Sequence, residues 1–516
     1  MRDFGGVVER TPARVVRPGS AEEVAAAVRE AAAAGLVIVP RGAGHSTYGQ
    51  SLTGGVCLDM RGLAGVREVG PDRAVVGAGT TWREVLDATL PLGLAPPVLT
   101  DFLDVTVGGT LSSGGVGGAS HMHGTQAANV LALDVVVDGR PVSCSPAVRP
   151  EVFDAVRAGL GAHGVITAAT LRLVPAPDRV LSCTIPCRDA ADLLRVQREV
   201  RADHLSGQAK PSAEGWRYEA KAVLHLGTTP PHTATIQPPG TATQTTPTQA
   251  DAPHEDAVQA PGATPPPMGT VQPSETAFQT APAPADASHV GASQAPGAAQ
   301  PHTGTVLPPG AAAQTATAPA DGSHVGAGLA SGAAPPHTGA VRGLGGGARA
   351  VGVQAGAASW VGGVSHAGEV PPGTSEVEEL SFLDFADRLR PDVAELTVLG
   401  EWARPHPWGM VFLPGARAAE VIEETLASMT AADLGLSGVV LVKALRIGDV
   451  PMLAAPADPV LFSLLRTASP GCAAVAEMLA GNRALLARAE AVGGTRYAVD
   501  SVPDRWLDGA ASQGQG

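Results

Sequence analysis

The chain has 516 residues, with 64 Gly, 45 Pro, only 17 aromatic residues and a formal net charge of −14. That acidic balance offers no basic face for nucleic acid, and no apolar run approaches the ~18 residues of a membrane span. Gly and Pro together make up about 21% of the chain, against about 12% in ordinary proteins, which points to folded parts diluted by a long unfolded segment.

Residues 1–6 have neither the basic start nor the apolar run of a signal peptide, so a cytoplasmic protein is expected. Residues 21–30 predict a helix with Ser20 as N-cap, because Val24, Val28 and Ala31 recur at helical spacing. Gly35 ends it, and residues 36–39 predict a buried strand. Further strands are expected at 74–76, 131–137 and 164–173, and helices at 82–90 and 150–159. Residues 179–226 and 377–503 form a second region, where strand signals mix with helices at 418–429 and 470–492. Residues 504–516 are expected to be a disordered tail. Cys57, Cys144, Cys183, Cys187 and Cys472 are odd in number, and Cys183 and Cys187 have no partner pair. Reduced structural thiols and no metal site are expected.

Residues 227–376 differ from the rest. They contain no Lys, only Arg342 and Arg349 as cations, and only Phe278 and Trp360 as aromatics. Pro301-His302-Thr303-Gly304 returns at Pro336-His337-Thr338-Gly339, a period of 35 residues. A helical solenoid would need an apolar stripe in each unit, and none exists. The segment reads as a disordered, Pro/Ala/Gly/Thr-rich insertion. Without it, 366 residues remain for folding, which suits two domains.

Two clusters carry chemistry. The strand at 36–39 runs into Arg41-Gly42-Ala43-Gly44-His45-Ser46. A Gly-rich turn after a strand can offer successive N–H groups to a phosphate, and the same residues also fit a plain turn. Thr100-Asp101-Phe102 opens a second cluster, followed by small residues from Gly108 to Gly118. A carboxylate beside apolar side chains can have a raised pKa and act as a base, and Asp101 also fits a turn cap.

In order, the motifs Arg41-Gly42-x-Gly44-His45-Ser46-x3-Gln50, Thr100-Asp101-Phe102-Leu103-x-x-Thr106-Val107-Gly108-Gly109, His123-Gly124-x-Gln126, Gly161-x-His163-Gly164-Val165-Ile166 and Pro405-His406-Pro407-Trp408 resemble those of the cytokinin dehydrogenases. These are FAD enzymes of the vanillyl-alcohol-oxidase type. The resemblance implies an α+β fold. A PCMH-type FAD-binding domain would span residues 3–178. A substrate domain of antiparallel sheet and helices would be built from 179–226 and 377–503. It implies FAD, attached covalently through His45. Cofactor contacts are implied at Arg41, Gly42, Ala43, Gly44, Ser46, Gln50, Asp101, Thr106, Ser112, Val116, Ile166, Trp408 and Tyr497. Asp101 would take up or orient the substrate N–H proton. The implied partners are a small-molecule amine, such as an N6-substituted adenine, and an electron acceptor, oxygen or quinone.

Three departures stand out. The family's second acid, in Tyr-x-x-Glu-Ala, meets Trp216-Arg217-Tyr218-Glu219-Ala220-Lys221 here, with Lys221 in the Glu position and Glu219 two residues early. A shift of two keeps a strand face, so Glu219 is the second candidate catalytic residue. The family's C-terminal Pro-Gly-Gln flavin contact has no counterpart after Tyr497. The insertion interrupts the substrate domain at a loop-closure cost that grows only logarithmically. Oxidation of an alcohol or sugar, or flavin binding with little turnover, are the alternatives these departures leave open.

Overall fold

The computed structural model describes residues 1–228 and 370–502. The repeats between 229 and 369 and the expected tail lie outside them. The insertion's expected limits shift at both ends, because strand Gly215–Thr228 runs past residue 227 and Ser375 N donates to Thr184 O at 2.9 Å.

The first helix is Ala21–Ala33, and the Ser20 hydroxyl accepts from Glu23 N at 3.2 Å. Val24, Ala27 and Ala31 are its buried stripe. The strand expected at 36–39 is instead Ile38–Arg41, with Leu36 and Val37 exposed at 39% and 60%. The helix end explains the shift. Gly35 is left-handed at φ +65°, and Leu36 N is used to close the helix on Ala31 O at 2.9 Å. Ile38–Arg41 then pairs in parallel with Val56–Asp59, whose other edge takes Arg14–Val16, also in parallel.

A five-stranded antiparallel sheet stands beside it, in the order Val66–Val69, Arg73–Gly77, Val165–Arg172, Val130–Val137, Arg140–Cys144. The expected strands at 74–76 and 131–137 lie within it, and the one expected at 164–173 is one residue shorter at each end, Val165–Arg172. Helix Trp82–Thr89 starts at a capping box between Thr81 and Glu84 and buries Trp82, Val85 and Leu86. Trp82 Nε1 donates to Thr110 Oγ1 at 2.8 Å, so the largest core side chain is also satisfied.

The second lobe is one eight-stranded antiparallel sheet. Its order is Glu376–Ser381, Pro177–Cys187, Gly215–Thr228, His204–Ser212, Val439–Ala444, Pro459–Leu465, Gly409–Pro414, Thr495–Arg496. Alternation decides its two faces. On one, Tyr218, Ala220, Ala222 and Leu224 share an apolar core with Leu193 and Leu194 of helix Ala190–Glu199 and with Ile422 of helix Ala418–Ala427. Full burial of each large side chain there contributes about 1.5–3 kcal/mol. The opposite face carries Lys221, Ser206 and Lys443 and turns toward the first lobe. The fold is thus α+β, with two lobes closing on one space. Among the described residues no helix is long and apolar enough to cross a membrane, and all five cysteines are unpaired.

Candidate active site

A cavity of about 2190 Å³ lies between the lobes. Its first wall is the loop after strand Ile38–Arg41. Backbone N–H groups from residue 42 to residue 46 donate no hydrogen bond within the described residues. Gly44 is left-handed at φ +75°, the geometry that turns consecutive N–H groups to one side. A Cβ at Gly42 would sit 2.0 Å from Thr106 Oγ1, so the two segments touch where only Gly fits. Thr106 caps the short helix Val107–Leu111. The Ser112 hydroxyl is spent on Gly108 O at 2.7 Å. Five consecutive free donors beside a Gly-lined slot fit a pyrophosphate. The remaining wall, with Val116, Ile166, Met410 and Leu461, fits a flat apolar ring system.

His45 sits where that loop meets an aromatic stack. Phe4 lies between His45 and His406, with ring centroids 4.0 and 4.1 Å away and tilts of 22° and 6°. Phe102 covers the other side of His45 at 5.0 Å, and Trp408 meets it edge-on at 5.8 Å. Burial among these rings, with His406 nearby, lowers the His45 pKa to about 3. The imidazole is therefore neutral at physiological pH and keeps a nitrogen lone pair available.

Asp101 is gripped by two cations. Arg388 Nη2 donates to Oδ1 at 2.5 Å and Lys443 Nζ to Oδ2 at 2.6 Å. Burial pushes the carboxyl pKa up, but Lys443 and Arg388 outweigh it and hold the group well below the ordinary carboxylate range. The apolar neighbours on which a raised pKa was expected are thus overruled by partners distant in sequence. Asp101 is ionised in the free protein and is no base near neutrality.

The other expected residues divide clearly. Gly42, Ala43, Gly44, Ser46, Gln50, Thr106, Ser112, Val116, Ile166, Trp408 and Tyr497 all line the cavity. Gln50 reaches across to accept from Tyr48 N and donate to Asp500 O at 2.9 Å. Arg41 does not line the main cavity; it bonds Ser51 Oγ and Arg2 O behind the loop. Glu219 is not brought to Asp101 either. It shares the face of Lys221 but sits one rung further out, held by Lys210 at 2.6 Å and Arg217 at 3.3 Å. Face parity was right, and the position along the strand was not.

Sequence reasoning missed Arg388, Lys443, Phe4, Trp402 and His204. Lys443 had a signal: it interrupts the apolar strand Val439–Ala444 and is only 4% exposed, which a lysine tolerates only with a partner. Arg388 and Phe4 had none, because their partners are hundreds of residues away or on another loop.

A family profile described as an FAD binding domain matches residues 12–145. One described as cytokinin dehydrogenase 1, FAD and cytokinin binding, matches residues 364–498. An uncharacterized oxidoreductase of the fasciation locus of Rhodococcoides fascians is 30% identical over 97% of this chain and 87% of its own length. Cytokinin dehydrogenases 6 and 1 of Oryza sativa subsp. japonica are 41% and 42% identical, over 40% and 44% of this chain. The chain matches 44% of the length of each of these two. FAD is the cofactor that both matched profiles and the free N–H donors support. The chain belongs to the cytokinin dehydrogenase family of FAD-dependent oxidoreductases.

Proposed function

We propose that the protein oxidises the carbon next to nitrogen in a secondary amine of the N6-substituted adenine type, with FAD held through His45. The observation that carries this is Asp101, an ionised carboxylate on the wall of the cavity that also holds His45. FAD, when bound, supplies a hydride acceptor. The chain supplies position and charge. Residues 42–46 hold the pyrophosphate, and Trp408 bounds the ring system. Asp101 accepts a hydrogen bond from the substrate N–H and opposes the positive charge that develops on nitrogen as hydride leaves carbon. The resulting imine is hydrolysed by water to an aldehyde and the freed amine.

The test is the absorbance of the purified flavoprotein under anaerobic conditions. Isopentenyladenine should bleach the flavin band, and an unchanged spectrum would overturn the reading. The Lys443 and Arg388 pair supports a second reading, alcohol oxidation, because two cations favour a developing alkoxide. Bleaching by simple secondary alcohols and not by the amine would select it.

Covalent attachment rests on the neutral His45 imidazole. Unmodified protein precipitated with acid should keep its yellow colour in the pellet. His45→Ala should release nearly all of its flavin to the supernatant, because acid unfolds the site and no covalent bond then retains the cofactor. Equal release from both proteins would refute the linkage.

A further inference from the structure

The 35 cationic side chains of this chain include only three lysines, Lys210, Lys221 and Lys443. All three fall on one face of one sheet, and all three line the same cavity. Two are accounted for. Lys443 is paired with Asp101, and Lys210 with Glu219. Lys221 forms no ion pair among the described residues; Lys210, Glu376, Glu219 and Glu378 all act on it electrostatically, and Glu376, the cross-strand neighbour of Thr184, lines the same cavity.

Register places hydroxyls on either side of it. Thr184 and Ser206 are the direct cross-strand partners of Lys221, so their side chains share its face. Neither hydroxyl is used in a hydrogen bond within the described residues, and both line the cavity. One more step of the register beyond Gly207 and Val442 sets Ser206 opposite Lys443. Two strand spacings, about 10 Å, therefore separate the Lys221 backbone from the one that carries the partner of Asp101.

We propose that Thr184, Lys221 and Ser206 form an anion subsite, and that the substrate carries a phosphate or carboxylate remote from the C–N bond that is oxidised, at the end of the sheet face two strand spacings from the Lys443 strand. One ammonium and two hydroxyl donors match such a group. The proposal deepens the amine reading and rests on it. An ammonium at that rung attracts an anionic tail.

The experiment compares isopentenyladenine with isopentenyladenosine 5′-monophosphate and with an N9-carboxyalkyl isopentenyladenine, in the wild type and in Lys221→Met. The wild type should favour an anionic form in kcat/KM. In Lys221→Met the ratio of anionic to neutral kcat/KM should fall about 10- to 100-fold, as expected for one charged hydrogen bond. Which anionic arm loses more identifies phosphate or carboxylate. A ratio that stays within twofold overturns the subsite. Binding gives a second readout, independent of turnover. Adenosine 5′-monophosphate should perturb the flavin spectrum of wild-type protein at lower concentration than adenosine, and Lys221→Met should remove that difference. If no amine bleaches the flavin, the amine reading falls, and this titration still decides the subsite. Equal titration curves for the two proteins would dismiss it.

Discussion

Asp101→Asn is expected to lower kcat at least 100-fold and to destabilise the protein by about 3–5 kcal/mol. The two losses have one origin. The neutral amide leaves the ammonium of Lys443, 4% exposed, and the guanidinium of Arg388 facing each other without an anion. Stranding buried charge in this way costs about that much. The same amide removes the negative charge that opposes the developing cation, and groups of this kind contribute about 100- to 10,000-fold. Two measurements separate the effects. Urea unfolding followed by tryptophan fluorescence reads the first, and single-turnover flavin bleaching in folded protein reads the second. Adding Lys443→Met to Asp101→Asn should restore part of the stability and none of the rate. A double variant no more stable than the single one would show that the pairing is not the source of the loss.

Acidification should unfold the protein steeply between about pH 6.5 and pH 4. His45, His204 and His406 all line the cavity. Burial lowers their pKa values in the fold, to about 3 for His45 and well below the usual value for His204. In the unfolded chain each titrates near 6.5. Below that pH the unfolded state binds protons that the fold refuses, so stability is lost as pH falls. Each histidine contributes a slope of about 1.4 kcal/mol per pH unit, and the three together about 4, until their folded pKa values are reached. Asp101 acts in the same direction at lower pH: a carboxylate held below its ordinary range is fully stabilising above its unfolded pKa of about 3.9 and loses that stability as pH falls further. Urea midpoints at pH 7, 6 and 5 test this. His204→Phe should flatten the slope by about a third, because His204 already stacks edge-on against Phe385 at 5.0 Å. A midpoint constant from pH 7 to pH 5 would contradict it.

Local physics made most of the first lobe legible. The Ser20 cap, the stripe of Val24 and Ala31, and the apolar run at 131–137 need only neighbours in sequence, and each sits where expected. The slip at Leu36 came from a helix end that extended one turn past its periodic signal. The second lobe was legible as α+β but not as one sheet of eight strands, because its order joins residues that the chain separates widely. The cavity residues on the 42–46 loop followed from local pattern and family likeness together. The chemistry of Asp101 did not, since its pKa is set by residues 388 and 443. Glu219 failed for a similar reason. Counting by two fixes a face, but only the strand partners fix which rung meets the catalytic carboxylate.

The strand order of the large sheet has a consequence for how the chain can be cut. The three strands drawn from residues 177–228 are flanked on both sides by strands drawn from residues 376–496. Neither set closes the sheet alone, and each hydrogen-bonds the other at two seams, Pro177–Cys187 with Glu376–Ser381 and His204–Ser212 with Val439–Ala444. Covalent continuity between the two sets is therefore not what holds them together. A protease nick anywhere between residues 228 and 376 leaves two polypeptides interlocked like clasped fingers. Two fragments cut in that interval and expressed separately should therefore associate, which co-purification of the pair would check.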